Sequence, residues 1–150
     1  MYANLGKMIA IVSTAFVGDE DKGGTDYVMH CLHVMYKVRH LGKSAMIAGV
    51  GHDLLEDKPK LWTGAKLIDE GFDPSDVAII ELLTHTKGED YMTYIRRLSV
   101  SPVARAIKMA DLRHNSDIHR MHNKDGLTSK DTARLDKYYA AYAFLKGIKS

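Results

Sequence analysis

Apolar residues recur at spacings of three and four in segment after segment of this chain, whereas β-branched alternation never persists. That rhythm predicts helices from end to end and an all-α fold. Only three prolines occur, each at a plausible helix edge, and no repeat, low-complexity tract or Pro-rich linker interrupts the pattern. One domain spanning residues 1–150 is therefore expected. A core of that size needs neither a disulfide nor a structural metal as a staple, so size leaves open whether a metal is bound.

The first helix is predicted from about Ala3 to Val17, ending at Gly18 where the acidic loop "GDEDKGG" begins. A second starts after Thr25 as N-cap, carries Tyr27, Cys31, Val34, Val38 and Leu41, and stops at Gly42. The third runs from Ser44 to Pro59, followed by a short helix near Trp62 to Glu70. In "DPSD", Pro74 opens another helix that continues to about Leu83. Two more cover Tyr91 to Leu98 and Pro102 to about Asn115, and the last extends from about Ser129 to Lys146. Its stripe of Leu135, Tyr138, Tyr139, Tyr142 and Leu145 reads as core packing.

The third helix contains "AGVGHDLLEDKP", Ala48 to Pro59, which crowds His52, Asp53, Glu56 and Asp57 into an apolar run. On a continuous helix His52 stacks with Glu56 and Asp53 with Asp57, the two stacks lying about 100° apart. Met46, Ile47, Val50, Leu54 and Leu55 spread around the remaining surface, which places the segment inside the bundle. Like charges one turn apart cost about 0.2–0.5 kcal/mol per pair on an exposed helix, and burial without a partner costs more. A divalent cation would offset both. The alternative is a solvated acidic helix end running into "DKPK".

Further ligands must come from other helices. In "PVARAIKMADLRHN" the apolar face is Val103, Ala106, Ile107 and Ala110, with Asp111 at its margin and Lys108 and Asn115 along the same stripe. An acid there points inward, unless it is only a salt-bridge partner of Lys108 or Arg113. The second helix offers His30 and His33, and periodicity does not choose between them.

A formal charge of +2 excludes a polybasic nucleic-acid binder, so any bound anion is met by local charge. The single cysteine, Cys31, forms no internal bridge, which fits a reducing cytoplasm. Met8 to Val17 has weakly basic flanks, lacks a small-x-small cleavage site and is far short of a membrane span. Neither secretion nor a membrane partner is expected.

The order His, then His-Asp, then Asp resembles the HD superfamily of metal-dependent phosphohydrolases. More narrowly, "GGTDYVMH", "GHDLLED" and "IKMADLRHN" are similar to the alarmone hydrolase domain of the RelA/SpoT group and its stand-alone small relatives. The likeness runs from about Ala15 through Ile118. It implies an HD-domain helical bundle in which His30, His52, Asp53 and Asp111 surround one ion, usually manganese (Mn2+) in that group. His30 is preferred to His33 because "YVMH" is similar to the family's Tyr-x-x-His. Imidazole and carboxylate donors would equally suit iron or zinc.

The resemblance further implies that Glu56 and Asp57 form the catalytic acidic pair, and that Lys22, Tyr27, Lys108 and Asn115 contact substrate. Lys87 and Arg96 are further phosphate-contact candidates. The implied reaction is hydrolysis of guanosine tetra- or pentaphosphate, (p)ppGpp, at the 3′ position with release of pyrophosphate. Its partner is then a small-molecule nucleotide, not nucleic acid. Alternatives are another nucleotide phosphate, such as NADPH or a modified nucleoside polyphosphate, or a non-catalytic sensor or interaction module. Against the last stands the retention of both Glu56 and Asp57. Three departures bear on base recognition: Lys22 is the only base before the Tyr-x-x-His, Cys31 replaces a proline, and Leu112 stands where a pocket arginine is expected.

Overall fold

Side-chain caps decide where most of the helices begin in the computed structural model, which describes residues 1–149. Asn4, Thr63, Asp73, Asp90, Ser101 and Thr128 each accept a hydrogen bond from an amide of the first turn that follows. Thr128 and Asp131 complete a reciprocal capping box. Each such cap contributes on the order of 1 kcal/mol. The resulting order is α1 (Leu5–Ala15), α2 (Tyr27–Lys37), α3 (Lys43–Val50), α4 (Leu54–Asp57), α5 (Gly64–Asp69), α6 (Pro74–Leu82), α7 (Tyr91–Leu98), α8 (Pro102–Asn115) and α9 (Ser129–Lys146), with 3-10 turns at Arg39–Leu41 and Ile118–Arg120. Among the described residues there is no strand, only an isolated bridge between Glu20 and Asp26. The architecture of the described residues is an all-α helical bundle, and no described helix is long and apolar enough to cross a membrane.

The central element is α3, which touches α1, α2, α6 and α8. Ala45, Ile47, Ala48, Gly49 and Val50 are all buried, so this helix has almost no polar face. Gly49 permits the close approach of α2: a Cβ there would sit 3.1 Å from Val38 Cγ2 and 3.3 Å from Met35 Cα. Around α3 the core is filled by Met8, Val12, Cys31, Val34, Ile80 and Ile107, each fully buried. The C-terminal helix α9 covers α8 and α7 through Ala141 and Leu145.

Three helix predictions are corrected. The segment predicted as one helix from Ser44 to Pro59 is two: α3 ends at Val50, a tight turn occupies 51–53, and α4 follows. Gly51 is pinned there between Ile80 Cδ1 and Met8 Sδ, where an added Cβ would lie 3.2 Å from each, and the Leu54 amide bonds Gly51 O three residues back. Asp53 caps α4 and its carbonyl accepts from the Asp57 amide at 2.9 Å, so Asp53 and Asp57 stay one helical turn apart although the helix is interrupted before them. The second helix starts after Asp26 rather than Thr25 and ends at Lys37, with Leu41 in the following 3-10 turn and substantially exposed. On α9, Tyr139 is 74% exposed and belongs to the solvent face, while Tyr138 and Tyr142 pack against the core.

A bidentate ion pair ties the loop before α7 to that helix. Arg97 Nε and Nη2 donate to Glu89 Oε2 and Oε1, both at 2.9 Å, and Nη2 also reaches Thr84 O at 3.1 Å. These hydrogen bonds hold the Glu89 carboxyl down at about 2, below its ordinary 4.5. A depressed carboxyl adds stability that is complete above the unfolded-chain value and fades as pH falls toward the folded one. Glu89→Gln should therefore lower Tm at pH 7, with the gap to wild type narrowing once pH drops below 4.5. Thermal melts at several acidic pH values check this; a constant gap would contradict it.

Candidate metal centre

Three separate elements deliver four ligand-type side chains to one point. His30 comes from α2, His52 and Asp53 from the turn after α3, and Asp111 from α8. His30 Nε2 lies 3.0 Å from Asp111 Oδ1 and 3.7 Å from Asp53 Oδ2; His52 Nε2 lies 3.3 Å and 3.0 Å from the same oxygens. Taking one atom from each residue, all lie within 4.8 Å of one another. His33 is not in this group: its ring stacks on His114 with centroids 3.8 Å apart.

Asp111 does not sit at the margin of the buried face. It lies in the middle, with Ala104, Ile107 and Leu112 buried beside it, while Val103, Ala106 and Ala110 are only half-buried. The reason is that α8 packs against α2, α3, α6 and α9, which widens its buried sector beyond the apolar stripe. The carboxylate is divided between two roles. Oδ2 accepts from Lys108 Nζ at 2.8 Å, and Oδ1 faces the two imidazoles and accepts from Asn115 Nδ2 at 2.9 Å. Both readings of this acid, salt bridge and inward-facing cluster member, hold together.

The electrostatics of the cluster call for positive charge at its centre. Burial alone would raise the Asp111 carboxyl, but Lys108 first, and then His52, hold it well below the ordinary range. Burial alone would likewise lower His52, and Asp53 and Asp111 instead push it well up. Each imidazole turns its other nitrogen away: His52 Nδ1 meets Gly49 O at 2.7 Å, and His30 Nδ1 meets His114 Nδ1 at 2.7 Å. Tyr27 donates to Asp53 Oδ2 at 2.5 Å, so it bonds a cluster carboxylate rather than merely lining a pocket. Two imidazole nitrogens and two carboxylate oxygens, convergent and largely buried, fit a divalent transition ion.

A cleft of about 230 Å³ opens from this cluster, with Glu56 and Asp57 on its wall beside Asp53. Glu56 Oε1 accepts from the His85 amide at 2.7 Å. Burial, then Asp53 and Glu56, raise the Asp57 carboxyl to about 7, and burial also raises Glu56. Lys108 and Asn115 line the same cleft while bonded to Asp111. Lys22 does not. It lines an adjoining cavity of about 300 Å³ that shares Tyr27, Asn115 and Tyr138 with the cleft. Arg120 and Arg134 stand there with it, and desolvation followed by Arg134 lowers the Lys22 ammonium. Leu112 is buried in the core, so the cations of this cavity come from other elements than α8. Lys87 and Arg96 are exposed and line neither space.

Several lining residues escaped the sequence reading: His85, Tyr91, Lys137, Tyr138, Arg120 and Arg134. Only the fourth carried a signal, in the aromatic stripe of α9, and that stripe reads as core. Tyr91 is the most informative. Its hydroxyl is buried at the cleft and has no hydrogen-bond partner among the described residues, and burial raises it to about 12. Lys137 Nζ lies 4.6 Å from the centroid of the same ring.

No protein-family model matches this chain, and no curated protein does so. Among solved structures it is similar to a metazoan protein described as an ortholog of SpoT that hydrolyzes ppGpp and plays a role in starvation responses. The two superpose with a TM-score of 0.78 at 17% identity, covering 100% of this chain and 89% of the other. At that identity the likeness shows the fold alone, an all-α bundle shared by the two chains.

Two tyrosines on α7 give opposite expectations. Tyr91→Phe removes an unpaired buried hydroxyl, whose desolvation costs roughly 1–3 kcal/mol, and should leave stability unchanged or raise it. Tyr94→Phe deletes a hydroxyl that donates to Leu83 O at 2.5 Å and should lower stability by about 1 kcal/mol. Denaturant unfolding of both variants checks the contrast.

Proposed function

We propose that this chain is a divalent-cation-dependent pyrophosphohydrolase of guanosine tetra- and pentaphosphate, releasing pyrophosphate from the 3′ position. The observation that carries the reading is the convergence of His30, His52, Asp53 and Asp111 on one point, with the acidic pair Glu56 and Asp57 on the adjoining wall. Support for the substrate comes from the fold shared with a protein described as hydrolysing ppGpp. The four converging residues would hold the ion, manganese by the family resemblance. When bound, it supplies Lewis-acid polarisation of a phosphoryl oxygen and neutralises charge developing there.

The remaining chemistry is assigned to the chain's own groups. Asp57 takes a proton from the attacking water as the water oxygen bonds to the phosphorus next to the ribose 3′ oxygen. The bond from that phosphorus to the 3′ oxygen breaks, its electron pair stays on the 3′ oxygen, and that oxygen takes up a proton equivalent to the one Asp57 received, which restores the carboxylate. A carboxyl raised to about 7 is matched to such a transfer near neutral pH. Glu56, fixed by the His85 amide, orients the water. Lys108, Lys137 and the unpaired Tyr91 hydroxyl offer donors to the pyrophosphate group. Lys22, Arg120 and Arg134 face the rest of the nucleotide from the adjoining cavity.

Manganese-loaded protein at micromolar concentration should release pyrophosphate from guanosine tetraphosphate, and no release would overturn the reading. In a nucleotide panel that includes NADPH, preference for a non-guanine substrate would keep the phosphohydrolase and replace its substrate. Glu56→Ala should reduce turnover by about 100-fold or more while sparing manganese affinity. Because Asp57 acts as a base only when ionised, kcat/KM should fall on the acid side, with a midpoint at or below about 7. A rate that is flat with pH down to 5 would contradict that role.

A further inference from the structure

We propose that His114 is a positioning residue for the metal centre: its neutral ring accepts the Nδ1 proton of His30 and thereby fixes His30 in the tautomer whose Nε2 can bind a cation. This rests on the reading of His30 as a metal ligand. The two rings lie nearly parallel, 12° apart with centroids separated by 5.0 Å, and their Nδ1 atoms are 2.7 Å apart. Two imidazole nitrogens at that distance share one proton, so one donates and the other accepts.

Only one assignment leaves His30 able to coordinate. Were His114 the donor, a neutral His30 would carry its proton on Nε2, the nitrogen that faces Asp111 Oδ1 at 3.0 Å. That nitrogen would then have no lone pair for an ion. With His30 as donor, Nε2 is free, and His114 carries its own proton on Nε2. His52 meets the same requirement by a different route, since its Nδ1 faces the Gly49 carbonyl at 2.7 Å, an acceptor with no tautomers of its own. Metal-ligating histidines generally give their second proton to a carboxylate, a carbonyl or water. Here the partner is another imidazole, whose orientation and protonation must themselves be held.

The surroundings of His114 hold it. One face stacks on His33, with centroids 3.8 Å apart and planes 14° apart, while its Nδ1 edge meets the Nδ1 edge of His30 nearly in plane, across the contact between α2 and α8. Its carbonyl accepts from Arg120 Nη1 at 2.7 Å, which anchors the end of α8. One turn of α8 thus delivers both a ligand, Asp111, and the group that orients a ligand from another helix. His33 acquires a role as well: packed on one face of His114, it fixes the plane in which that ring meets His30.

Two substitutions separate an acceptor from a mere filler of space. His114→Phe keeps an aromatic ring between His33 and His30 but accepts nothing. His114→Gln keeps an acceptor. Calorimetric titration of the full chain with manganese chloride should show affinity about 10–100-fold weaker in His114→Phe and close to wild type in His114→Gln. Nitrogen-15 histidine spectra of zinc-loaded wild type should place protons on Nδ1 of His30 and Nε2 of His114, an outcome that needs no variant to fold. Wild-type affinity in folded His114→Phe, equal losses in both variants, or a proton on Nδ1 of His114 would each overturn the proposal. Failure of the wild type to bind either ion would overturn the metal reading itself, and the proposal with it, and is distinct from those three results.

Discussion

Most of this structure is organised around a single buried carboxylate. Asp111 is only 3% exposed, and a charge so far from water destabilises a fold by several kcal/mol unless it is matched on every side. Lys108 answers one oxygen, and His30, His52 and Asn115 surround the other. Two of these partners lie on the same helix, but the histidines arrive from α2 and from the turn after α3. The requirement to satisfy Asp111 therefore fixes those elements against α8, and the apolar residues packed around α3 hold them in that register. Gly49 shows how tight the fit is, since it brings α2 close enough for His30 to reach its place while its carbonyl receives the second nitrogen of His52.

How far this arrangement was legible in the sequence depended on whether the deciding forces were local. The limits of α7, α8 and α9 were readable because Asp90, Ser101 and Thr128 cap them and Pro102 opens one of them. The cluster residues were readable as types, because acids and an imidazole inside apolar runs have few physical explanations. The break after Val50 was not. A tight turn advances the chain with nearly helical phase, so the apolar pattern continues across Gly51 to Leu54 as if nothing had happened. The choice between His30 and His33 was also out of reach of periodicity, since one turn of helix presents both to the same neighbour. What separates them is α8: Asp111 meets the first, and the ring of His114 stacks against the second.

Four of the lining residues not recognised as such share a cause. Arg120 sits in a 3-10 turn, and Arg134, Lys137 and Tyr138 lie on the one helix whose stripe looked like ordinary packing. Nothing in their own segments marks them, because a cleft between elements is a property of how the elements meet. Arg120 depends on a distant partner as well. Its guanidinium bonds Asp21 at 2.7 Å, and Asp21 also accepts from the amides of Gly23 and Thr25, so the loop before α2 is folded onto the turn after α8. The adjoining cavity exists only because those two irregular segments are joined.

The separation of fixed from exchangeable charge follows from the same packing. Inside the cluster the carboxylates face cationic partners, so Lys108 and then His52 hold Asp111 well below the ordinary range while Asp53 and Asp111 push His52 well up. At the cleft wall the balance is different. Asp57 is hemmed in by protein and by the negative charges of Asp53 and Glu56, which outweigh the smaller lowering by His52 and by Lys58, whose ion pair is with Asp19 at 2.6 Å. Had Lys58 been left to pair with Asp57, the carboxyl would have dropped toward its ordinary range and lost its affinity for a proton at neutral pH. Asp53 serves both regions, closing the cluster on one side and raising its neighbour on the other. The proximity of the two sites is thus what raises the outer acid, without any special feature of the acid itself.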